Sequence, residues 1–131
     1  MADTMLTGGA DAATEFVTTL LNGVTTVHMH HLMVTGPGSY AKHMALGDLY
    51  SALEDGADSL AEAYIGCTGK AFKFEGGTLK VGTDPVAEVA ALYAYVESKR
   101  GAMGKESHIQ NLIDEIADSL ASALYKLRRL A

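Results

Sequence analysis

Apolar residues recur every three or four positions along most of the chain, the spacing that places them on one face of an α-helix. The pattern predicts four helices, over about residues 10–35, 39–66, 85–100 and 106–130. It is cleanest in the last helix, whose stripe comprises Ile109, Leu112, Ile113, Ile116, Leu120, Leu124 and Leu127. Long amphipathic helices bury such stripes against one another, so we expect a single all-α domain over residues 1–131.

Local residue preferences indicate where these helices begin and end. Gly36-Pro37-Gly38 cannot continue a helix, so the first connection is short and the first two helices are antiparallel neighbours. Ser39 comes next and is a good N-cap residue for the second helix. Asp84 and Pro85 predict the start of the third helix, because aspartate caps free N–H groups and proline suits the first helical position.

The second connection is much longer and is rich in glycine. Gly66 and Gly69 end the second helix, and the segment that follows is too long for a tight turn. It could run the length of the bundle, and a crossover between helices two and three is typical of ferritin-like four-helix bundles, the predicted fold. Apolar and polar residues alternate around Gly76-Gly77, which also favours a small β-hairpin in this segment.

Composition narrows the classes of function. The chain has 131 residues, a net charge of −6 and one cysteine, Cys67, so it forms no internal disulfide. Its N-terminus lacks the basic and apolar regions of a signal peptide, and no apolar run approaches the roughly 18 residues of a membrane span. We therefore expect a soluble cytoplasmic protein without a membrane partner. Separately, we expect Cys67 to occupy a buried or loop position.

Four of the five histidines lie within residues 28–43. His31 continues the apolar spacing of the first helix, so it faces inward or towards a partner. His28 lies one turn earlier on the same side, whereas His30 points elsewhere. Taken alone, such histidines are satisfied core or interface residues more often than metal ligands.

The second helix carries an acidic stripe beside its apolar one. At about 100° per residue, His43, Glu54, Asp58 and Glu62 fall within a single arc of about 100°. A solvated face is one interpretation of this stripe. A metal site is the other, because imidazole nitrogens together with carboxylate oxygens suit iron, zinc or manganese better than calcium.

Helix length decides how such a site could form. His43 and Asp58 are about 22 Å apart on one helix, so they cannot share a metal within one chain. His31 lies across the short turn from His43, and these two can meet. A site that also uses Asp58 and Glu62 needs a second, antiparallel copy of the helix, related by a twofold axis between positions 52 and 53. The sequence therefore predicts at least a dimer, with one site at each end of the interface.

Five of these residues resemble the ferroxidase motif of the ferritin-like family of DNA-binding proteins from starved cells (Dps): His31, Gly36, His43, Asp58 and Glu62. The resemblance implies a metal bound between twofold-related subunits, with two histidines from one and two carboxylates from the other. The segments SYAKHMALGDLY, DSLAEAYIG and NLIDEIADSLASALYKLRRL are similar to a small, uncharacterised Dps-like family of tailed bacteriophages. The motif of that family adds a His-x-x-His pair, which implies His28 as a further ligand beside His31.

The chain departs from the Dps pattern in three respects. Leu32 replaces a tryptophan, and Gly47 replaces a ligand aspartate. The basic DNA-binding tail is also missing, since the first forty-one residues contain no lysine or arginine. The basic cluster at the other end, Lys126, Arg128 and Arg129, is explained by the dipole of a helix C-terminus. Nucleic acid is therefore not an expected partner.

Two hypotheses follow from these residues. In the first, the protein is a ferritin-like oxidase that binds Fe(II), with zinc or manganese as alternatives, and oxidises it with dioxygen or peroxide. In the second, it is a non-enzymatic self-assembling protein with the same fold, for example a component of a phage particle. The His/His/Asp/Glu set favours the first hypothesis, and Gly47 favours the second. Asp114 and Glu115 could contribute to a further metal site, although a solvated face is the favoured interpretation.

Overall fold

The computed structural model describes residues 8–130, with side chains from residue 12 onward. Its helices are α1 (Gly8–Met33), α2 (Ser39–Thr68), α3 (Pro85–Lys99) and α4 (Ser107–Arg129), with a short 3₁₀ helix at Arg100–Met103 between the last two. The helix ends lie within two residues of those predicted. None of the described residues forms a strand, so the predicted all-α class is confirmed.

The predicted hairpin around Gly76-Gly77 is wrong. Residues 69–84 contain no ladder of backbone hydrogen bonds, and aromatic rings hold part of this segment instead. Phe72 lies with its ring centroid 5.5 Å from that of Tyr64 on α2 and 5.5 Å from that of Phe74. Alternation alone could not show that most side chains of this segment stay exposed and that Phe72 packs on α2 instead of pairing in a hairpin.

The helix ends show which local preferences were decisive. Asp84 caps α3 as predicted, because its carboxylate accepts a hydrogen bond from the backbone N–H of Val86 at 3.0 Å. Ser39 does not cap α2. The N-cap is Gly38, whose φ of 78° lies in the left-handed region that glycine adopts without strain. At the other end of α2, Cys67 lies in the last helical turn and is exposed, so its predicted buried or loop position is wrong.

The helices pack around one core, with α1 against α2 and α3, and α4 against α2 and α3. Most of the fully buried large side chains lie in these contacts: Phe16, Leu20, Leu46, Leu53, Leu60, Met103, Ile109, Ile113 and Leu120. Gly56 lets α2 approach α4 closely, since a Cβ there would lie 2.7 Å from Ile116 Cγ1. Each fully buried aliphatic side chain contributes about 1.5–3 kcal/mol by leaving water.

The direction of each helix follows from its contacts. The segment 69–84 lines a groove together with residues 14–22 of α1. Further along, the backbone N–H of Gly82 donates to Glu88 of α3, which also bonds His30 near the end of α1. The segment therefore runs along α1. Because Tyr95 of α3 stacks near Phe16 of α1, with centroids 5.8 Å apart, α3 runs antiparallel to α1. Residues 45–52 of α2 lie beside 118–126 of α4, and 52–59 beside 112–119, so α4 is antiparallel to α2. Helices α2 and α3 thus point the same way and are joined by a long crossover.

Arg100 fastens the 3₁₀ helix to α4. Its guanidinium donates to Gln110 Oε1 at 2.8 Å and to the Gln110 carbonyl at 3.0 Å, and it pairs with the carboxylate of Asp114. The hydrogen bond that Arg100 donates to Asp114 raises the pKa of Arg100. Asp114 and Glu115 are both exposed, which agrees with the solvated face favoured for them. No helix in residues 8–130 combines the length and apolar character needed to cross a membrane.

Candidate metal centre

The candidate site begins at the tight turn between α1 and α2. Gly36 has a φ of 88° and Gly38 a φ of 78°, conformations that side-chain-bearing residues rarely adopt. They reverse the chain within five residues, 34–38, and bring the last turns of α1 against the first turn of α2. The turn therefore places His31 beside His43.

His31 and His43 form a reciprocal pair. Their rings stack with centroids 3.7 Å apart and an interplanar angle of 18°. His31 Nδ1 lies 2.7 Å from the carbonyl oxygen of His43, and His43 Nδ1 lies 2.7 Å from that of His31. Both rings are half-buried, so each helix holds the imidazole of the other in one orientation.

These hydrogen bonds fix the protonation of each ring. A carbonyl oxygen only accepts, so Nδ1 of His31 and of His43 must carry the proton and donate it. In the neutral imidazole the lone pair is then on Nε2. Histidines that bind metals have this arrangement, since their second nitrogen donates to a carbonyl or carboxylate that orients the ring. In each ring, Nε2 is therefore the nitrogen that remains available to bind a metal.

His28 stands beside this pair, on the surface. Its exposed ring stacks on Tyr50 with centroids 4.0 Å apart and nearly parallel planes, at 10°. Its centroid is 5.9 Å from that of His31, and Tyr50 meets His31 edge-on at 5.3 Å. A contact between Tyr50 and these rings was not predicted from the sequence. The spacing could have revealed it, because seven residues separate it from His43, almost two full turns on one face.

His30 is the buried histidine of this cluster, with 2% of its surface exposed. Its Nε2 lies 3.0 Å from Glu88 Oε1, and the same oxygen accepts the backbone N–H of Gly82 at 3.0 Å. The sequence predicted that His30 points away from His31, as observed, and that His31 faces inward or towards a partner. His31 is half-buried, and His30 is the fully buried one of the two. Because α1 packs between α2 and α3, it has two inward sides, and His30 lies on the side of α3.

The carboxylates lie apart from the histidines within the chain. Asp58 and Glu62 are exposed on α2, at least fifteen residues and about 22 Å beyond His43. The described residues contain no group of three or more histidine, cysteine or acidic side chains placed to hold a metal ion. The structure thus brings His31 and His43 together, leaves His28 nearby, and does not join Asp58 and Glu62 to them.

Gly47 has a packing role beside this pair. A Cβ at position 47 would lie 3.0 Å from His31 Cε1 and 3.1 Å from His31 Nδ1. The imidazole of His31 therefore occupies the space that any side chain at position 47 would need. Glycine at this position allows the ring to lie against α2, one turn beyond His43.

Comparison with known proteins identifies the family of the chain. No curated protein and no solved structure gives a significant match. Residues 31–127 match the model of a family of unknown function, DUF5856, and this match includes both histidines of the pair, the acidic stripe of α2 and all of α3. Because the match covers more than half of the chain, the protein belongs to the DUF5856 family.

Proposed function

We propose that the protein binds a transition metal ion between two copies of itself, with iron as the first candidate and zinc or manganese as alternatives. His31 and His43 of one subunit would supply nitrogen ligands, and Asp58 and Glu62 of its twofold mate would supply oxygen ligands. The observation that carries this proposal is the reciprocal histidine pair, which leaves two Nε2 lone pairs oriented and free. Mixed nitrogen and oxygen donors suit these three metals.

The helix order supports the wider assignment to ferritin-like proteins. Parallel α2 and α3, joined by a crossover along α1, are the arrangement expected of a ferritin-like bundle with one long connection. We propose this fold family for the chain, and with it the Dps-type placement of the metal at a twofold interface.

The exposed residues of α2 support a twofold pairing centred between positions 52 and 53. In an antiparallel pair about that point, position 43 lies opposite 62 and position 47 opposite 58. Leu53 was expected near the interface, but it is fully buried in the core of its own chain. Ser51 and Glu54 are exposed at the same level and would instead lie at the centre of the interface.

The further step, iron oxidation, would consume Fe(II) as a substrate. Two Fe(II) ions would each give one electron to hydrogen peroxide, and two protons would complete two water molecules. His28 and Tyr50 lie beside the histidine pair and would line the approach to the site. Oxidation rests on the resemblance to Dps proteins alone, whereas metal binding also rests on the geometry of the two rings.

A second candidate function is assembly without redox chemistry, for example as a structural component of a phage particle. Gly47 favours it, because the ring of His31 fills the space where a further ligand side chain would have to stand. A site with fewer carboxylates suits a single structural metal better than a pair of reacting ions. The two candidates share the subunit interface and differ in what occurs at the histidines.

Metal binding by His43→Ala tests the proposal. We expect equilibrium dialysis against Fe(II) without oxygen, or against Zn(II), to show at least about a tenfold loss of affinity. The control is His108→Ala, because His108 is exposed to solvent at the start of α4, away from the half-buried His43. Its affinity should equal that of the parent, and circular dichroism should show unchanged helix content in both variants. Equal metal affinity of His43→Ala and the parent would refute the proposal.

A further inference from the structure

A groove runs beside α2 at the end opposite the histidine pair. Its volume is about 760 Å³, and its apolar walls come from α1, α2 and the crossover: Leu21, Ala61, Ile65, Phe72 and Phe74. The groove faces solvent, since Phe74 is 51% exposed, Ile65 44% and Leu21 42%. Apolar side chains grouped in a groove at this exposure are typical of a surface that binds a protein partner.

Another apolar group surrounds the histidine end of the same helix pair. Tyr40 is 74% exposed, Leu32 70% and Met44 47%. Tyr40 and Met44 lie on the first two turns of α2, next to His43. The molecule therefore carries a projecting apolar group at one end of α2 and an apolar groove at the other.

The twofold register joins these two features. An antiparallel pair centred between positions 52 and 53 places Tyr40 opposite Ile65 and Met44 opposite Ala61, since each pair of numbers sums to 105. Ile65 and Ala61 both line the groove. The centre was set by the histidines and carboxylates alone, so the match of the apolar residues is a separate observation.

We infer that the groove binds the α1–α2 turn of a second copy of this chain, with Tyr40 and Met44 as its apolar anchors. The crossover contributes to this pairing, because its Phe72 and Phe74 line the groove. Phe72 is fixed by Tyr64, whose side chain is buried in the core. The docking shares the twofold pairing of the proposed function but needs no metal.

Charge favours the same occupant. Glu54, Asp58 and Glu62 lie along the groove and are exposed. The incoming turn carries no acidic residue between positions 28 and 47, and it brings His28, His31, His43 and Lys42. A second copy in the antiparallel register therefore places cationic or neutral groups against these carboxylates, whereas a parallel pairing would place like charges together.

Cross-linking between two single-cysteine proteins tests the register. Met44→Cys and Ala61→Cys would each be made in a Cys67→Ser background, tagged differently and mixed with a chelator and a short thiol cross-linker. In the antiparallel register the two copies of position 44 are roughly 25 Å apart, and so are those of position 61. We therefore expect covalent dimers in the mixture and none in either protein alone. Cross-linking in each protein alone, or none in the mixture, would overturn the inference.

The role of the groove is tested by Phe74→Ser, with Tyr125→Ser as the matched control. Tyr125 is 56% exposed, similar to Phe74, but it lies on α4 outside the groove. Sedimentation with a chelator should show dimer dissociation constants at least about tenfold weaker for Phe74→Ser than for the parent, and unchanged for Tyr125→Ser. A dimer of Phe74→Ser as tight as the parent would refute docking in the groove. A correctly paired dimer that binds no metal would instead refute the proposed function and leave this inference intact.

Discussion

Replacing Gly47 by alanine probes the histidine pair through its closest neighbour. In a helix interior alanine is favoured over glycine by about 1 kcal/mol, so the change would stabilise α2 if nothing lay nearby. The new Cβ would, however, lie 3.0 Å from His31 Cε1 and 3.1 Å from His31 Nδ1, closer than ordinary van der Waals contact. The ring of His31 must therefore move away from α2.

The cost of that movement follows from what holds the ring. His31 donates to the carbonyl of His43 at 2.7 Å and stacks on its imidazole at 3.7 Å. Losing the hydrogen bond costs about 1 kcal/mol, and an overpacked site costs about 1–3 kcal/mol. Against the gain of about 1 kcal/mol in helix propensity, we expect Gly47→Ala to destabilise the protein by about 1–3 kcal/mol.

The matched control is Gly66→Ala in the same helix. A Cβ at Gly66 meets nothing within 4 Å, so this variant should keep part of the helix-propensity gain and be as stable as the parent or slightly more stable. Urea unfolding of both variants measures the difference. Metal affinity should fall in Gly47→Ala alone, because only there is a ligand ring displaced. If Gly47→Ala is as stable as Gly66→Ala, the His31 ring does not lie against α2 and the pair is wrongly described.

Two further predictions concern the rest of the fold. Asp84→Ala should lower the free energy of unfolding in urea by about 0.5–2 kcal/mol, because it removes the side chain that caps the Val86 N–H. Ser39→Ala should change it little, since Ser39 is not the N-cap of α2. Equal effects of the two changes would contradict the assigned caps. Burial raises the pKa of Tyr95 above its ordinary value of 10.0, because the folded protein favours the neutral phenol. The stability that this preference contributes is fully present below pH 10.0 and is lost as the pH rises through the pKa of Tyr95 in the folded protein. Tyr95→Phe should be less sensitive to alkaline unfolding than the parent, and equal sensitivity would contradict this prediction.

The sequence predicted those features that depend on local chemistry and on helix arithmetic. The helix ends follow from periodicity, from Gly36-Pro37-Gly38 and from Asp84, all of which act over a few residues. The meeting of His31 and His43 follows from a short turn and a fixed rise per residue.

Features that depend on which helix packs against which face were not predictable in this way. His30 is buried because α3 covers that side of α1, and no periodicity within α1 reveals where α3 lies. The packing of Gly47 against His31 has the same origin, since the residues belong to different helices. Residues 69–84 form no hairpin, and the ring of Phe72 lies 5.5 Å from that of Tyr64 on α2, a contact that alternation could not indicate.

Complementation between two defective subunits tests the central claim, a metal site shared by two chains, most directly. His43→Ala and Asp58→Asn should each fail to bind the metal, since each lacks a ligand in both sites of its own dimer. A mixed dimer, however, contains one site in which His31, His43, Asp58 and Glu62 are all present. Equal amounts unfolded and refolded together should regain about a quarter of the parent's metal sites, because half of the dimers are mixed and each has one intact site of two. Metal analysis that finds no recovery in the mixture, while sedimentation shows mixed dimers, would contradict the shared site.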